Sequence, residues 1–153
     1  MRWEELGEQN CSIARSLAVF GDRWTLMILR NCFLGVKRFD DFLQDLSVSR
    51  TILTDRLNKL VEHGVLEKVP YQTKPTRYDY KLSHKGRDLH PIILAIAEWG
   101  DAYYAIDGEP PILRHHKSCG HDFNSKAVCS ECGEVIKPHD VSARRNPKAR
   151  KTA

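Results

Sequence analysis

Long apolar runs are missing from this sequence. The longest, Ile92 to Ala97, falls far short of the roughly 20 residues a membrane-spanning helix needs. The opening MRWEELGEQNC has no basic stretch followed by an apolar one, so nothing points to export and a cytoplasmic protein is expected. No glycine-rich phosphate loop occurs, and no carboxylate pair is spaced for acid–base chemistry, which makes an enzyme the least favoured class. Charge of one sign is also scarce. The net charge is +4 over 153 residues, and residues 138–153 carry Arg144, Arg145, Lys148, Arg150 and Lys151 against Asp140, which leaves residues 1–137 balanced. Global charge is therefore weak evidence for a nucleic-acid partner, whereas a local excess would be meaningful. Cysteines are few. Five thiols in a cytoplasmic chain are expected to be reduced or metal-bound, not paired in a disulfide framework.

What is present is a series of amphipathic segments. With 41% hydrophobic residues the chain can bury a proper core, in one domain with a small appendage. Ile13, Leu17 and Phe20 share one face of a helix from about Ser12 to Phe20. Gly21 ends it, and Asp22 is a good N-cap for the next, Arg23 to about Phe33. That helix is apolar on several sides (Trp24, Leu26, Met27, Ile28, Leu29, Cys32, Phe33) and reads as the buried centre of an α-helical domain; Cys32 is most simply a small core hydrophobe. In FDDFLQDL, Phe39, Phe42, Leu43 and Leu46 stand at helical spacing. Ser47-Val48-Ser49 interrupts, and Ser49 can cap a helix starting at Arg50 in which Leu53, Leu57, Leu60 and Val61 form an apolar stripe. Two helices joined by so short a turn make a helix-turn-helix signature, although two ordinary core helices would look the same.

The following segment separates those readings. Gly64 stops the helix, VLEKVP reads as a strand and PYQTKP as a turn. In RYDYKL, Tyr78, Tyr80 and Leu82 alternate with Asp79 and Lys81 at strand period. A two-stranded ribbon directly after a helix-turn-helix is a wing. Between Leu66 and Arg87 it is also basic, with six cationic residues against two acidic ones. Ser83 can cap a further helix, from about His84 to Ala105, in which Pro91 implies a kink or a displaced start. Its broad apolar face (Leu89, Ile92, Ile93, Ile96, Ala97, Tyr103) needs a cover, and a second copy of the protein is the simplest one. The expected fold class is mainly α with a small β-hairpin wing, a winged helix-turn-helix domain followed by a small Cys/His metal-binding extension.

In this order the segments resemble the HxlR-type family of bacterial transcriptional regulators, which have a winged-helix fold. The resemblance is carried by Cys11, G-D-R-W at Gly21 to Trp24, R-F at Arg38-Phe39 and L-x-x-R-L-x-x-L-V-E-H-G at Leu53 to Gly64. It continues through V-P-Y-Q at Val69 to Gln72, R-Y-x-Y-x-L at Arg77 to Leu82, K-G at Lys85-Gly86 and W-G at Trp99-Gly100, covering roughly residues 11 to 105. It implies a homodimer that binds operator DNA, represses or activates nearby genes, and responds to an oxidant, electrophile or small metabolite. One departure is Arg50, where the family frequently has proline. It puts a potential phosphate or base contact at the first position of the helix.

Such a helix enters the major groove N-terminus first, which makes Ser49, Arg50, Thr51, Thr54, Asp55 and Asn58 the candidate contacts to double-stranded DNA. Arg50 can donate to guanine and Asn58 has bidentate geometry for adenine. Asp55 would repel phosphate, so it should accept from cytosine or hold an arginine in place. Lys37, Arg38, Lys74 and Arg77 are expected at phosphates or in the minor groove beside the wing. A dimer implies an inverted-repeat operator.

Beyond about residue 107 the chain changes character. His116-x2-Cys119-Gly120 and Cys129-x2-Cys132-Gly133 are two ligand turns, and three sulfurs with one imidazole make a typical structural zinc set. His115 or His121 could replace His116, and free thiols or a redox C-x-x-C pair are the alternative. The expected organisation is residues 1–107 as winged helix-turn-helix and dimerisation domain, 108–137 as a zinc-ribbon-like module and 138–153 as a basic disordered tail. Cys11 sits just before the first helix, where exposure and the helix-terminus field would favour a thiolate. The resemblance implies a possible redox switch there, with a packed structural thiol as the other reading. A different class also fits the whole chain: an interaction protein, winged helix plus zinc ribbon, that docks on transcription machinery with DNA contact secondary.

Overall fold

The helices that follow Asp22, Ser49 and Ser83 start on short polar side chains. A computed structural model describes residues 3–148. A first short helix, α1, covers Trp3–Leu6, and α2 covers Ser12–Phe20. Asp22 then accepts from the amides of Trp24 (3.0 Å) and Thr25 (3.2 Å), which starts α3 at Arg23–Phe33. Helix α4 covers Phe39–Leu46 and ends at Ser47 in the left-handed region (φ 49°). After this turn Ser49 accepts from Ile52 N at 3.3 Å and starts α5, Arg50–Glu62. These starts agree with the sequence reading because capping is local, decided within three residues.

The hairpin is longer than expected. Strand β1 covers Leu66–Thr73 and β2 covers Thr76–Leu82, antiparallel, with Leu66 opposite Leu82 and Thr73 opposite Thr76. Most of PYQTKP, expected as a turn, is therefore strand, and only Lys74-Pro75 lies between the strands. Pro70 is tolerated because the register shifts between Pro70 and Gln72, a bulge of the kind that absorbs a missing amide donor. Helix α6 (His84–Arg87) is capped by Ser83, whose hydroxyl donates to the Gly64 carbonyl at 2.6 Å and accepts from Gly86 N at 3.0 Å. A Cβ on Gly86 would stand 2.2 Å from the Val65 carbonyl oxygen, so the K-G pair is glycine for want of space. Helix α7 covers His90–Tyr104; the start displaced by Pro91 is realised as this break between α6 and α7.

The chain divides into two compact units inside α7, between Ile93 and Leu94, ahead of the boundary expected at 107. The first unit has a single core of Ile28, Leu29, Phe42, Leu46, Leu53, Leu57, Leu60, Val65, Leu66 and Tyr80. Its α3, α4 and α5 meet around Phe42, and Cys32 packs at the margin. The second unit holds the rest of α7, a 3-10 turn at Ile106–Gly108, the two-residue strands β3 (His115–His116) and β4 (His121–Asp122), and a bridge between Val128 and Val135. Within it Arg114 donates to Asp101 at 2.8 Å. Glu98 accepts from the amide of Ser125 at 2.6 Å, and from its hydroxyl. The tail opens with a 3-10 turn at Pro138–Asp140 and has no further helix or strand to Lys148; Arg150 and Lys151 lie outside the described residues, as do Met1 and Arg2.

Candidate nucleic-acid interface

Helix α5 has two faces. Leu53, Leu57 and Leu60 are fully buried, while Ser49, Arg50, Thr51, Thr54, Asp55 and Asn58 are all exposed. Spacings of three and four residues put the last five on one stripe of the helix. Arg50 Nη2 lies 3.5 Å from Asp40 Oδ1, and the guanidinium is 5.7 Å from the centre of the Phe39 ring. Its side chain is 73% exposed, and a pair between groups so hydrated contributes about 0–1 kcal/mol, so Arg50 is readily given up to a stronger acceptor. Asp55 Oδ2 lies 3.1 Å from Arg56 Nη1. Of the two roles expected for Asp55, holding an arginine is present in the free protein.

The hairpin carries Lys74 and Arg77 exposed beside its tip. Lys68 Nζ stands 4.4 Å over the Tyr78 ring. At the base of the hairpin the expected pattern breaks. Asp79, read as an outward residue alternating with Tyr78 and Tyr80, is only 6% exposed. The cause is a third strand-like segment: Arg38 bridges Asp79, and Tyr80 N donates to the Lys37 carbonyl at 2.7 Å. This places Lys37 Nζ 3.3 Å and Arg38 Nε 3.7 Å from the Asp79 carboxylate. The Arg38 guanidinium also stacks 4.6 Å over Tyr71. Lys37 and Arg38 thus remain half-exposed but are already engaged. Arg38, Tyr71, Arg77, Tyr78 and Tyr80 help to line a cleft of about 380 Å³ between α4 and the hairpin. Burial, and then the neighbouring Tyr78, pushes the Tyr80 hydroxyl up.

A family model of HxlR-like helix-turn-helix proteins matches residues 19–107, from the end of α2 through α7. The chain belongs to the HxlR-like helix-turn-helix family. This HxlR-like protein is 40% identical over 136 residues to Rv3095, an HTH-type transcriptional regulator of Mycobacterium tuberculosis, covering 89% of the chain and 86% of that relative. Among solved structures, PA1607, a candidate transcription factor, matches with a TM-score of 0.82 and 31% identity over 93% of this chain and 99% of that one. The redox regulator HypR in its reduced form matches with a TM-score of 0.57 and 30% identity over 60% of this chain and 92% of its own. The HxlR-like chain is a transcriptional regulator of the HTH type, not an enzyme. Among the described residues no helix is long and apolar enough to cross a membrane.

The extension of this HxlR-like chain contains two separate thiol turns. His116 Nδ1 lies 3.2 Å from Cys119 Sγ, and Gly120 N donates to the His116 carbonyl at 2.9 Å. In the second turn Gly133 N donates to the Cys129 carbonyl at 2.9 Å. Gly120 and Gly133 have φ of 73° and 75°, a left-handed conformation that closes each turn and suits glycine. The amide of Cys132, then that of Glu131, then the Cys132 thiol hold the Cys129 thiol below its ordinary range. Of the alternative nitrogens, His115 faces Asp122 at 3.3 Å, and His121 pairs with His116 across β3 and β4. His116 and Cys119 are together, and so are Cys129 and Cys132. Among the described residues no three His, Cys, Asp or Glu side chains gather closely enough to hold a metal ion, so the two pairs are not joined. Cys11 is exposed at the N-cap of α2 and makes no side-chain capping bond.

Sequence reasoning missed two residues that shape this surface. In the sequence Arg56 stands only within the L-x-x-R-L motif, and Asp79 only as a residue alternating with the hairpin tyrosines. Both are charged residues adjacent to core positions in the pattern, Arg56 before Leu57 and Asp79 before Tyr80. That adjacency was the available signal, but their partners are remote in the chain.

Proposed function

We propose that this regulator binds an inverted-repeat operator as a homodimer, with α5 of each copy in the major groove and the β1–β2 wing on flanking phosphates. The observation supporting this reading is the exposed polar stripe of α5, from Ser49 to Asn58, lying opposite three fully buried leucines. The leucines fix the helix rigidly, and the stripe offers guanidinium, carboxylate, amide and hydroxyl groups to base edges. Lys74 and Arg77 supply sequence-independent attraction, and Lys37 and Arg38 join them only by loosening from Asp79.

Titration of operator and scrambled duplexes at several salt concentrations tests the reading. Arg50→Ala should lose about 1–3 kcal/mol on the operator and relax preference at one base position. Equal losses on both duplexes would remove Arg50 from base readout. Binding indifferent to sequence throughout, but dependent on RNA polymerase, would favour docking on transcription machinery instead.

Two further parts belong to the proposal. Cys11 receives an oxidant or electrophile as the effector; its exposure and the likeness to the redox regulator HypR support this. His116, Cys119, Cys129 and Cys132 hold one structural zinc ion. Three thiols and an imidazole on preformed turns are the right chemistry for a closed tetrahedral site. The ion would cross-link the two turns, in a segment with little core of its own.

A further inference from the structure

Two motif elements that the DNA-binding reading leaves without a task, the Gly-Asp of Gly21-Asp22 and the Arg of Arg56, meet in space. Helix α5 has three cations, Arg50, Arg56 and Lys59, and Arg56 is the one turned inward, with a side chain 28% exposed. Its Nε is buried 3.2 Å from Asp22 Oδ1, close enough for an ion pair but not aligned as a hydrogen bond. Its Nη1 reaches the other way, to Asp55 Oδ2 at 3.1 Å.

Asp22 is an unusually firm anchor. Its Oδ1 accepts from Trp24 N and Thr25 N, and its Oδ2 accepts from the Thr25 hydroxyl, so the carboxylate is immobilised by its own capping duty. Gly21 supplies the placement. A Cβ there would stand 2.6 Å from the Leu17 carbonyl oxygen, so a side chain would disturb the α2–α3 turn that aims Asp22. Asp55 is the opposite: it is exposed, and it belongs to the stripe proposed above to read DNA. A lone carboxylate there would be repelled by phosphates and free to rotate. A guanidinium that is held at its far end removes both problems.

We infer that Arg56 is a positioning residue for base selection: anchored on Asp22, it fixes the Asp55 carboxylate on the reading face of α5 while touching no DNA itself. The inference rests on the operator reading proposed above. A planar guanidinium has separate edges for the two acids, whereas a lysine is a single point charge that serves one at a time. Lysine should therefore not replace Arg56, and Asp22 should matter through its charge as well as its cap.

The test uses the full-length protein and operator duplexes carrying each single base-pair change in one half-site. Wild type should lose about tenfold at the position facing Asp55. Arg56→Gln, Arg56→Lys and Asp55→Asn should each flatten that one preference and leave the preference set by Arg50 intact. Arg56→Gln with Asp55→Asn should be no worse than either alone, the mark of residues acting as one unit. Asp22→Asn keeps an N-cap oxygen but loses the charge, and should flatten the same position with its thermal melt close to wild type; it carries the test if Arg56→Gln fails to fold. The inference is overturned if Arg56→Gln weakens every position alike, if the two losses add, or if Arg56→Lys is indistinguishable from wild type. A wild type with no preference at any position would instead sink the operator reading, and the inference with it.

Discussion

Cys32 and Cys11 are the same side chain in opposite surroundings. Burial beside the core pushes the Cys32 thiol from 9.0 up to about 12, against a weaker opposing pull from its own backbone. The unfolded chain releases that proton from about pH 9 and the folded chain only near 12, so the contribution of Cys32 to stability is intact below about pH 9 and is lost as pH rises towards 12. Urea unfolding of Cys32→Ala at about pH 8 and about pH 10.5 should show a shallower fall in stability than wild type; an identical fall would contradict the burial argument. At neutral pH a maleimide should label Cys11 and spare Cys32, and an electrophile should release DNA from wild type but not from Cys11→Ser. The burial of Cys32 was legible in the sequence, because its neighbours Leu29 and Phe33 mark the apolar side of α3. Asp79 was not. Strand alternation predicts a face but not what covers it, and the cations that draw Asp79 inward come from the segment before α4.

At the level of elements, α5 was almost wholly legible. A serine cap, a leucine repeat and a closing glycine are local signals, and each sits where the sequence put it. The helix owes its rigidity to leucines with no solvent contact, so Leu57→Ala should destabilise the first unit by about 2–5 kcal/mol, read from the urea midpoint at unchanged slope. A loss below about 1 kcal/mol would mean that the site collapses around the cavity. The wing was legible in kind but not in extent. Its bulge lets Pro70 stand inside a strand, and a proline read as punctuation shortened the expected strand to its first half. The thiol turns pose a different problem. Spacing identifies two pairs of His and Cys side chains, whereas their union, under the zinc proposal, would depend on an ion rather than on packing. Purified protein should contain one zinc per chain, Cys129→Ser should lose it, and operator binding at fixed salt should survive. Unchanged zinc in Cys129→Ser would remove that residue from the ligand set.

For the molecule as a whole, the decisive feature is what α7 leaves uncovered. None of its residues is buried, and Ile92, Ile96, Trp99, Tyr103 and Tyr104 are exposed within the chain. Trp99 packs its ring at 5.5 Å from Tyr103 and 5.3 Å from Tyr104, a continuous aromatic surface on one helix. A second copy laid against this helix would bury apolar area at about 25 cal/mol per Å² and at the same time double the number of reading helices. The consequence for DNA is multiplicative. For a dimer on paired half-sites, once one half-site is held the second would bind at a high effective concentration, raising affinity about 10²–10⁴-fold without any new contact to a base. Ile96 is 49% exposed and contributes nothing to the core, so Ile96→Glu should leave the fold of the chain intact and place a charge in the shared surface. Sedimentation should find wild type dimeric and Ile96→Glu monomeric. The variant should bind an isolated half-site as wild type does and lose the avidity on the full operator. If Ile96→Glu remains dimeric, or if it binds the full operator undiminished, α7 is not the surface that joins the two copies.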